Sequence, residues 1–446
     1  MYETKKISVV GLGKLGLCVA ACFADKGYKV IGVDIDTEKI EKINKGISPI
    51  DETGLSSLVK KAKKNLKAEL NYENAIMNTD VSFIVVATPS LADGSFSNEY
   101  LEKTLYKIGA VLKKKKGYHL IVITSTVMPQ TTEKIVKFLL EKVSGKKCGR
   151  DFGLAYNPEF IALGSVIHDF LNPDFVLIGE ASKKDGDILE NIYKKTCDNK
   201  VRFARMSLLN AEIAKISLNC YITTKITFAN SLAGICEKVK GADSHVITKA
   251  LGLDSRIGSK YIRPGLGYGG PCFPRDNVAF SAFARKVEAR AKLAEMVDEV
   301  NRDQVLRIIH RINEILSLRG RNKKSEQIAI LGLSYKPNTP IIEDSQVLSI
   351  AQVLVSEGYR VCVYDPQALE SARSVLGDTV KYAKNVQECL AGADLGIIGV
   401  PWNEFKRINA KKLKKGIILF DCWRLLEGKK GLDIRYLGVG SNKGEK

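Results

Sequence analysis

Hydrophobic and polar positions fall into two alternating blocks, separated by a stretch of different period. Up to about residue 180, short β-branched runs recur between helix-favouring segments: KISVVGLG (6–13), YKVIGVDI (28–35), VSFIVVATP (81–89), HLIVITSTV (119–127) and FGLAYNPEF (152–160). Such alternation predicts a parallel sheet covered by helices. From Ser207 to about Lys240 the pattern reads as one long helix without proline, with Gly234 its only interior glycine. A helix of that length is expected to form a spine between domains or a subunit interface. A second helical stretch runs from about Glu288 to Leu318, and the polar RGRNKKSE (319–326) reads as a linker. Strand-like runs then resume in QIAILGLSYKP (327–337), RVCVYDP (360–366), LGIIGVP (395–401) and GIILFDCW (416–423), with helical segments such as SQVLSIAQVLVSEG (345–358) between them. The expected fold class is α/β, with two Rossmann-like doubly wound domains joined by the long central helix and a helical region. The boundaries fall at 1–200, 201–318 and 325–446. Such an architecture predicts a ligand cleft between two sheet edges.

Composition narrows the class. At 446 residues the chain is too long for one core, and 45% hydrophobic with 27% charged residues is globular. No apolar run approaches the ~18 residues needed to span a bilayer, and MYETKKISVVGLGKLG lacks a signal-peptide layout, so no membrane span is expected and the expected compartment is cytoplasmic. Ten cysteines without C-x-x-C spacing do not form a disulfide framework, and four scattered histidines give no metal-ligand spacing, so no metal is expected. The net charge of +19 comes from short separate clusters such as KKAKKNLK (60–67) and KKLKK (411–415), with no aromatic residues interleaved for base stacking. The reading is a solvated lysine-rich surface with a general attraction for an anionic small substrate, not a nucleic-acid partner.

Candidate chemistry begins at Gly11, Gly13 and Gly16, in G-x-G-x-x-G spacing after a strand and at the opening of a helix. That arrangement presents a helix N-terminus to a pyrophosphate. Asp34 ends the next strand, eighteen positions after Gly16, where a carboxylate accepts a ribose diol and repels a 2′-phosphate, favouring NAD over NADP. ILGLSYKP (330–337) has Gly332 alone, which reads as a tight turn in place of a second dinucleotide site. GLGYGGPCFPRD (265–276) presents Cys272 in a glycine-rich loop with little steric cover, which suits a nucleophile, and Arg275 and Asp276 follow it. Lys215 and Asn219 share a face of the long helix, although a solvated lysine would satisfy the same pattern. Glu159 and Thr126 stand at strand ends, where α/β sheets keep their ligands.

GLGKLG, TP, STV, NPEF, AKISLN, GYGGPCFPRD, LGLSYKPNT and YDP occur in this order, and over about residues 5–430 the chain resembles the UDP-glucose dehydrogenase family of nucleotide-sugar 6-dehydrogenases. The resemblance implies four-electron oxidation of a sugar C6 alcohol by NAD, with Cys272 forming a thiohemiacetal and then a thioester. It implies that Lys215 and Asn219 steady the oxyanion, that Asp276 holds a water or Lys215 in register, and that Thr126 and Glu159 position water for deprotonation and thioester hydrolysis. It places Lys39, Thr88, Pro89, Thr126 and Arg275 with Gly11, Gly13, Gly16 and Asp34 at the cofactor. It places Arg256, Tyr261, Arg263, Gly269, Lys336 and Arg424, together with Glu159, Lys215 and Asn219, at a UDP-sugar substrate. Arg256 would reach the neighbouring subunit's site, which implies a homodimer built on the long helix.

Three positions depart from the family pattern. Leu163 stands for a second acidic residue, Glu343 for a cation expected near the cofactor, and Trp423 for a substrate-facing arginine, with Arg424 following. A carboxylate in place of an arginine beside a diphosphate reverses a charge-assisted contact. UDP-glucose is the expected substrate, with a UDP-hexosamine or GDP-mannose as the alternative. A two-electron β-hydroxyacid dehydrogenase would need neither Cys272 nor a second α/β domain, and a nucleotide-sugar-binding protein without catalysis is the non-enzymatic alternative.

Overall fold

The computed structural model describes residues 4–317 and 323–440. The chain divides into two compact units, Met1–Ser217 and Leu218–Lys446. Leu318 and positions 319–322 of the expected linker lie outside the described residues.

The first unit contains eight strands: β1 Lys6–Val10, β2 Lys29–Val33, β3 Leu66–Glu69, β4 Val81–Ile84, β5 Leu120–Ile123, β6 Gly153–Tyr156, β7 Val176–Glu180 and β8 Phe203–Ser207. Their order is β3-β2-β1-β4-β5-β6-β7-β8. The first six follow the doubly wound order, with the switch between β1 and β4. The period-2 alternation of each strand divides its side chains between two apolar layers. Ile7, Val9, Leu120 and Val122 join the layer with Leu17 and Phe23, whereas Val10, Ile121 and Ile123 join the layer with Leu101, Leu105 and Ile108. One pairing departs from the expected all-parallel sheet: β6 and β7 run antiparallel, with Ala155 opposite Glu180. The return between them (157–175) carries the single short helix Val166–Leu171.

The second unit contains β9 Gln327–Leu331, β10 Arg360–Tyr364, β11 Lys381–Tyr382, β12 Leu395–Ile398, β13 Ile418–Asp421 and β14 Asp433–Tyr436. They form a wholly parallel sheet in the order β11-β10-β9-β12-β13-β14. Two doubly wound sheets and a long central helix bear out the expected α/β class. That helix spans Leu208–Glu237 and ends sooner than the sequence pattern suggests, because Lys238 and Val239 donate to carbonyls three residues back, a tighter turn. The second long helix is Lys292–Ser317. Its expected first residues instead form a connection in which Glu288 takes φ +58°. An unexpected helix, Phe273–Lys286, begins directly after Cys272. Pro274 lies in its first turn, where a missing N–H is harmless. No described helix is long and apolar enough to cross a membrane.

Candidate active site

The loop after β1 is built around its glycines for three different reasons. Gly11 takes φ +94°, and a Cβ there would lie 2.3 Å from Val85 O. A Cβ on Gly16 would lie 1.8 Å from Gly11 O. Gly13 has nothing within 4 Å of its Cβ position and caps the helix Lys14–Asp25, so the space over that N-terminus is open to an anion. Asp34 Oδ2 accepts from Leu12 N at 2.7 Å and Oδ1 from Asp36 N at 3.0 Å, which pins the carboxylate beside the loop. Lys39 Nζ lies 4.0 Å from Asp34 Oδ1. These residues fit a dinucleotide: open amides for its pyrophosphate and a carboxylate for its ribose diol.

Thr88 follows β4 and is buried, with its hydroxyl donating to Thr126 O at 2.7 Å; Pro89 beside it is exposed. Thr126 follows β5, and Glu159 follows β6. Lys215 Nζ donates to the Glu159 carbonyl at 2.8 Å and lies 4.7 Å from the Phe160 ring centroid, so this lysine is buried and fixed. Glu159 is partly exposed as a residue, but protein surrounds its carboxyl, and that burial pushes it up to about 7 despite the Tyr193 hydroxyl and the Lys215 charge. Tyr193 Oη lies 2.9 Å from Glu159 Oε1 and 2.6 Å from Asn157 Oδ1. Neither Tyr193 nor Asn157 is signalled by the sequence as functional. Tyr193 reads there as one apolar position of the helix Lys183–Thr196.

In the second unit, Asn219 Nδ2 donates to Asp276 Oδ2 at 2.6 Å, and both residues are buried. Asp276 lies in the first turn of Phe273–Lys286, and Cys272 is that helix's N-cap. Of the ten cysteines, Cys272 alone is exposed, at the end of a helix where backbone N–H groups favour negative charge. Arg275 is half-buried in the same turn. Gly269 is required by packing, because a Cβ would lie 2.2 Å from Asp344 O. Tyr261 is exposed with φ +64°. Arg263 donates to the Trp423 carbonyl, and Arg256 is exposed and paired with Asp254 at 2.6 Å. Lys336 is half-buried, 5.9 Å from the Tyr335 ring centroid. Arg424 takes φ +57° and is largely covered, ion-paired with Asp243 and Glu427 and stacked on Tyr436 at 4.9 Å.

The counterpart of Asp34 in the second sheet is Asp365, after β10. Its Oδ2 accepts from Leu333 N at 2.7 Å and from the Trp402 indole at 3.2 Å, and its Oδ1 from Gln367 N and Ala368 N at 2.8 Å each. The carboxylate is saturated and 1% exposed, with no capacity left for a ribose diol. This is the physical reason that the lone Gly332 turn does not make a second dinucleotide site.

Three models of one family match in sequence order: the NAD binding domain of the UDP-glucose/GDP-mannose dehydrogenase family over residues 5–197, its central domain over 209–303 and its UDP binding domain over 329–428. The chain belongs to the UDP-glucose/GDP-mannose dehydrogenase family. It is 35% identical to UDP-glucose 6-dehydrogenase AglM of Haloferax volcanii, over 97% of this chain and 100% of that one. It is 34% identical to a GDP-mannose 6-dehydrogenase of Pseudomonas putida, over 90% and 92% of the two chains. The solved UDP-glucose dehydrogenase of Pyrobaculum islandicum superposes with a TM-score of 0.88 at 32% identity, covering 99% of this chain and 98% of that one.

This member of the family is therefore an NAD-dependent nucleotide-sugar 6-dehydrogenase. Its three departures have local structural roles. Leu163 packs on the apolar layer of the first unit. Glu343 is exposed, and its backbone carbonyl accepts from Gly270 N at 2.9 Å. Trp423 donates its indole N–H to Gly399 O at 2.8 Å and lies where a Cβ on Gly265 would be 2.5 Å from its ring.

Proposed function

We propose that the chain oxidises the C6 alcohol of UDP-glucose to the carboxylate of UDP-glucuronate through a covalent intermediate on Cys272. The observation that carries this reading is the exposed thiol at a helix N-terminus, one turn from an Asp276 held by Asn219. Gly11, Gly13, Gly16 and Asp34 would hold NAD, which when bound would supply the acceptor for the hydride released in each of two oxidations. Lys39, Thr88, Pro89 and Arg275 complete its surroundings. The C6 hydroxyl gives up its proton and the C6 carbon a hydride to form the aldehyde. The Cys272 thiolate adds to that carbon, and the resulting oxyanion is protonated to a thiohemiacetal. Loss of the second hydride and of the hydroxyl proton leaves a thioester. Water, placed by Thr126 and deprotonated by Glu159, attacks the thioester, expelling the thiolate and releasing the acid.

Lys215 and Asn219 donate to the oxygen as its charge develops, and Asp276 orients Asn219 for that donation. Tyr261, Arg263, Gly269, Lys336 and Arg424 serve the nucleotide sugar. Arg256 serves it from a partner subunit across a homodimer built on the long helix. The organisation is a cofactor domain over 1–200, a helical domain over 201–318 and a nucleotide-sugar domain over 325–446. The site of action is the cytoplasm, where the ten cysteines stay reduced.

The test is NADH formed per mole of sugar consumed, across UDP-glucose, UDP-hexosamines and GDP-mannose. Two NADH with UDP-glucose, and none in steady state from Cys272→Ala, is the expected result. Aldehyde as the end product with Cys272 intact would overturn the covalent route. The 34% identity to a GDP-mannose 6-dehydrogenase keeps that sugar in the panel, and preference for it would reassign the substrate and leave the chemistry in place.

A further inference from the structure

The segment leading to Cys272 has neither helix nor strand over positions 262–270, yet most of it is buried. Buried backbone polar groups need partners, and here amide side chains supply them. Asn230 Oδ1 accepts from Gly265 N at 2.9 Å, and Gln304 Nε2 donates to Gly265 O at 2.8 Å. Asn301 takes both sides of Tyr268, accepting from its N and donating to its O at 2.9 Å each. Gln346 Oε1 accepts from Gly267 N at 2.6 Å, and its Nε2 donates to Asn301 O at 2.6 Å. The glycine at 267 follows from this arrangement, because a Cβ there would lie 2.2 Å from both Asn301 Oδ1 and Gln346 Nε2.

Gln346 differs from the other three amides in its origin. It is the first residue of the helix Gln346–Ser356, in the α/β part that carries the second sheet, whereas Asn230, Asn301 and Gln304 lie on the two long helices. The chain just before it holds the same loop, with Glu343 O accepting from Gly270 N and Tyr335 packed where a Gly270 Cβ would be 2.5 Å from its ring.

We propose that Gln346 is a positioning residue for Cys272: through Gly267 and Asn301 it ties the loop that presents the thiol to the second α/β sheet. This rests on Cys272 being the nucleophile. A displaced loop would move the thiol relative to C6 while leaving Gly11, Gly13, Gly16 and Asp34, which lie in the first unit, in place. Misplacement of a reacting atom by about 1 Å costs on the order of a hundredfold in rate.

The test uses Gln346→Met, which keeps length and apolar volume but loses both hydrogen bonds, with Gln346→Glu as the conservative partner that keeps the bond to Gly267 N. Two quantities are read on the full chain: kcat and KM for NAD, and the rate of Cys272 alkylation by iodoacetamide, followed at that peptide by mass spectrometry. Gln346→Met is expected to lower kcat by about ten- to a hundredfold with KM for NAD unchanged, and to change the alkylation rate by about threefold or more. Gln346→Glu, which keeps the acceptor for Gly267 N but sets a carboxylate oxygen against Asn301 O, is expected to recover part of both. Leu354→Ala, a core change on the same helix remote from the loop, is the control for mere destabilisation, and it should leave the alkylation rate at the wild-type value.

Wild-type kcat and alkylation in a folded Gln346→Met overturn the proposal, as does an equal change in Leu354→Ala. Should Gln346→Met not fold, Gln304→Met removes one donor to the loop and must move both quantities in the same direction. The alkylation rate does not depend on turnover. A full NADH yield from Cys272→Ala would therefore refute the covalent route separately from the positioning role.

Discussion

Tyr193 Oη lies 2.9 Å from Glu159 Oε1, and the phenol has a single proton to give. Asn157 claims that proton, because its Oδ1 is 2.6 Å from the same oxygen while its Nδ2 is committed to Leu177 O at 2.8 Å. An ionised Glu159 competes with Asn157 for that proton, accepting from Tyr193 Oη at 2.9 Å. Burial favours the neutral acid and outweighs the Tyr193 hydroxyl and the Lys215 charge, so the carboxyl is pushed up to about 7. A general base must be ionised, so acid release is expected to rise with pH through about 7. Glu159→Gln should abolish that limb and trap the thioester, detectable by intact mass. A flat profile between pH 6 and 8 would count against Glu159 as the base.

The same carboxyl makes a stability prediction. Between its ordinary value of 4.5 and about 7, the folded chain holds a proton that the unfolded chain has released, so stability falls as pH rises through that window. Glu159→Gln keeps the shape, and its amide can donate to Tyr193 Oη without ionising. The variant is expected to match the wild type at pH 5 and to exceed it at pH 8 by about 1–3 kcal/mol, read from denaturant midpoints. A larger gain at pH 5 than at pH 8 would sink this account.

Gly13 and Gly16 separate ligand approach from packing. Gly16→Ala drives a Cβ into Gly11 O and should destabilise the first unit by about 1–3 kcal/mol. Gly13→Ala points a Cβ into open space and should leave Tm unchanged while weakening NAD binding about tenfold, some 1.4 kcal/mol. Calorimetry and NAD titration together decide it. Equal loss of Tm in both variants would mean that the loop's glycines serve packing alone.

Local pattern was enough to read both doubly wound sheets and the long helix, whereas candidates such as Lys39, Arg256 and Lys336 came only from the family resemblance. Strand alternation, the Gly11 turn and the isolated thiol are short-range signals, and Asn219 with Asp276 emerged because each sits in a distinctive motif. What stayed hidden depends on long-range pairing. The antiparallel β6–β7 pairing follows from which way the chain returns to the sheet, and the local pattern of β7 is the same for either direction. Gln346 lies 79 residues from Gly267, and Tyr193 lies 34 from Glu159, so no local window links them. Arg424 was expected at the substrate only through the family resemblance, as the arginine that follows Trp423. Its ion pair with Asp243 spans a separation that pattern reading does not cover.

Asn219→Asp would set a second carboxylate against Asp276, at the 2.6 Å now spanned by an N–H donor. Two such acids do not both ionise, so one must hold a proton at neutral pH. The variant is expected to lose about 1–3 kcal/mol of stability at pH 8 and to recover much of it at pH 5. Thermal unfolding at the two pH values measures the difference, and a loss independent of pH would point to packing instead of charge.

The long helix also predicts an oligomer. Tyr221, Phe228 and Ile235 recur every seven residues on Leu208–Glu237 and are 65%, 54% and 63% exposed. Seven residues are almost two full turns, so the three share one stripe, and an apolar stripe of that length on a helix of 30 residues calls for a partner surface. A second copy of the same helix supplies a self-complementary one, since a two-fold axis sets each patch against its equal. Phe228→Asp combined with Ile235→Asp places two charges in that stripe on each copy. Light scattering after size exclusion should then give the 49.1 kDa monomer in place of a species of twice that mass. Turnover should fall with it if Arg256 works across the interface, and an active monomer would confine the whole site to one chain.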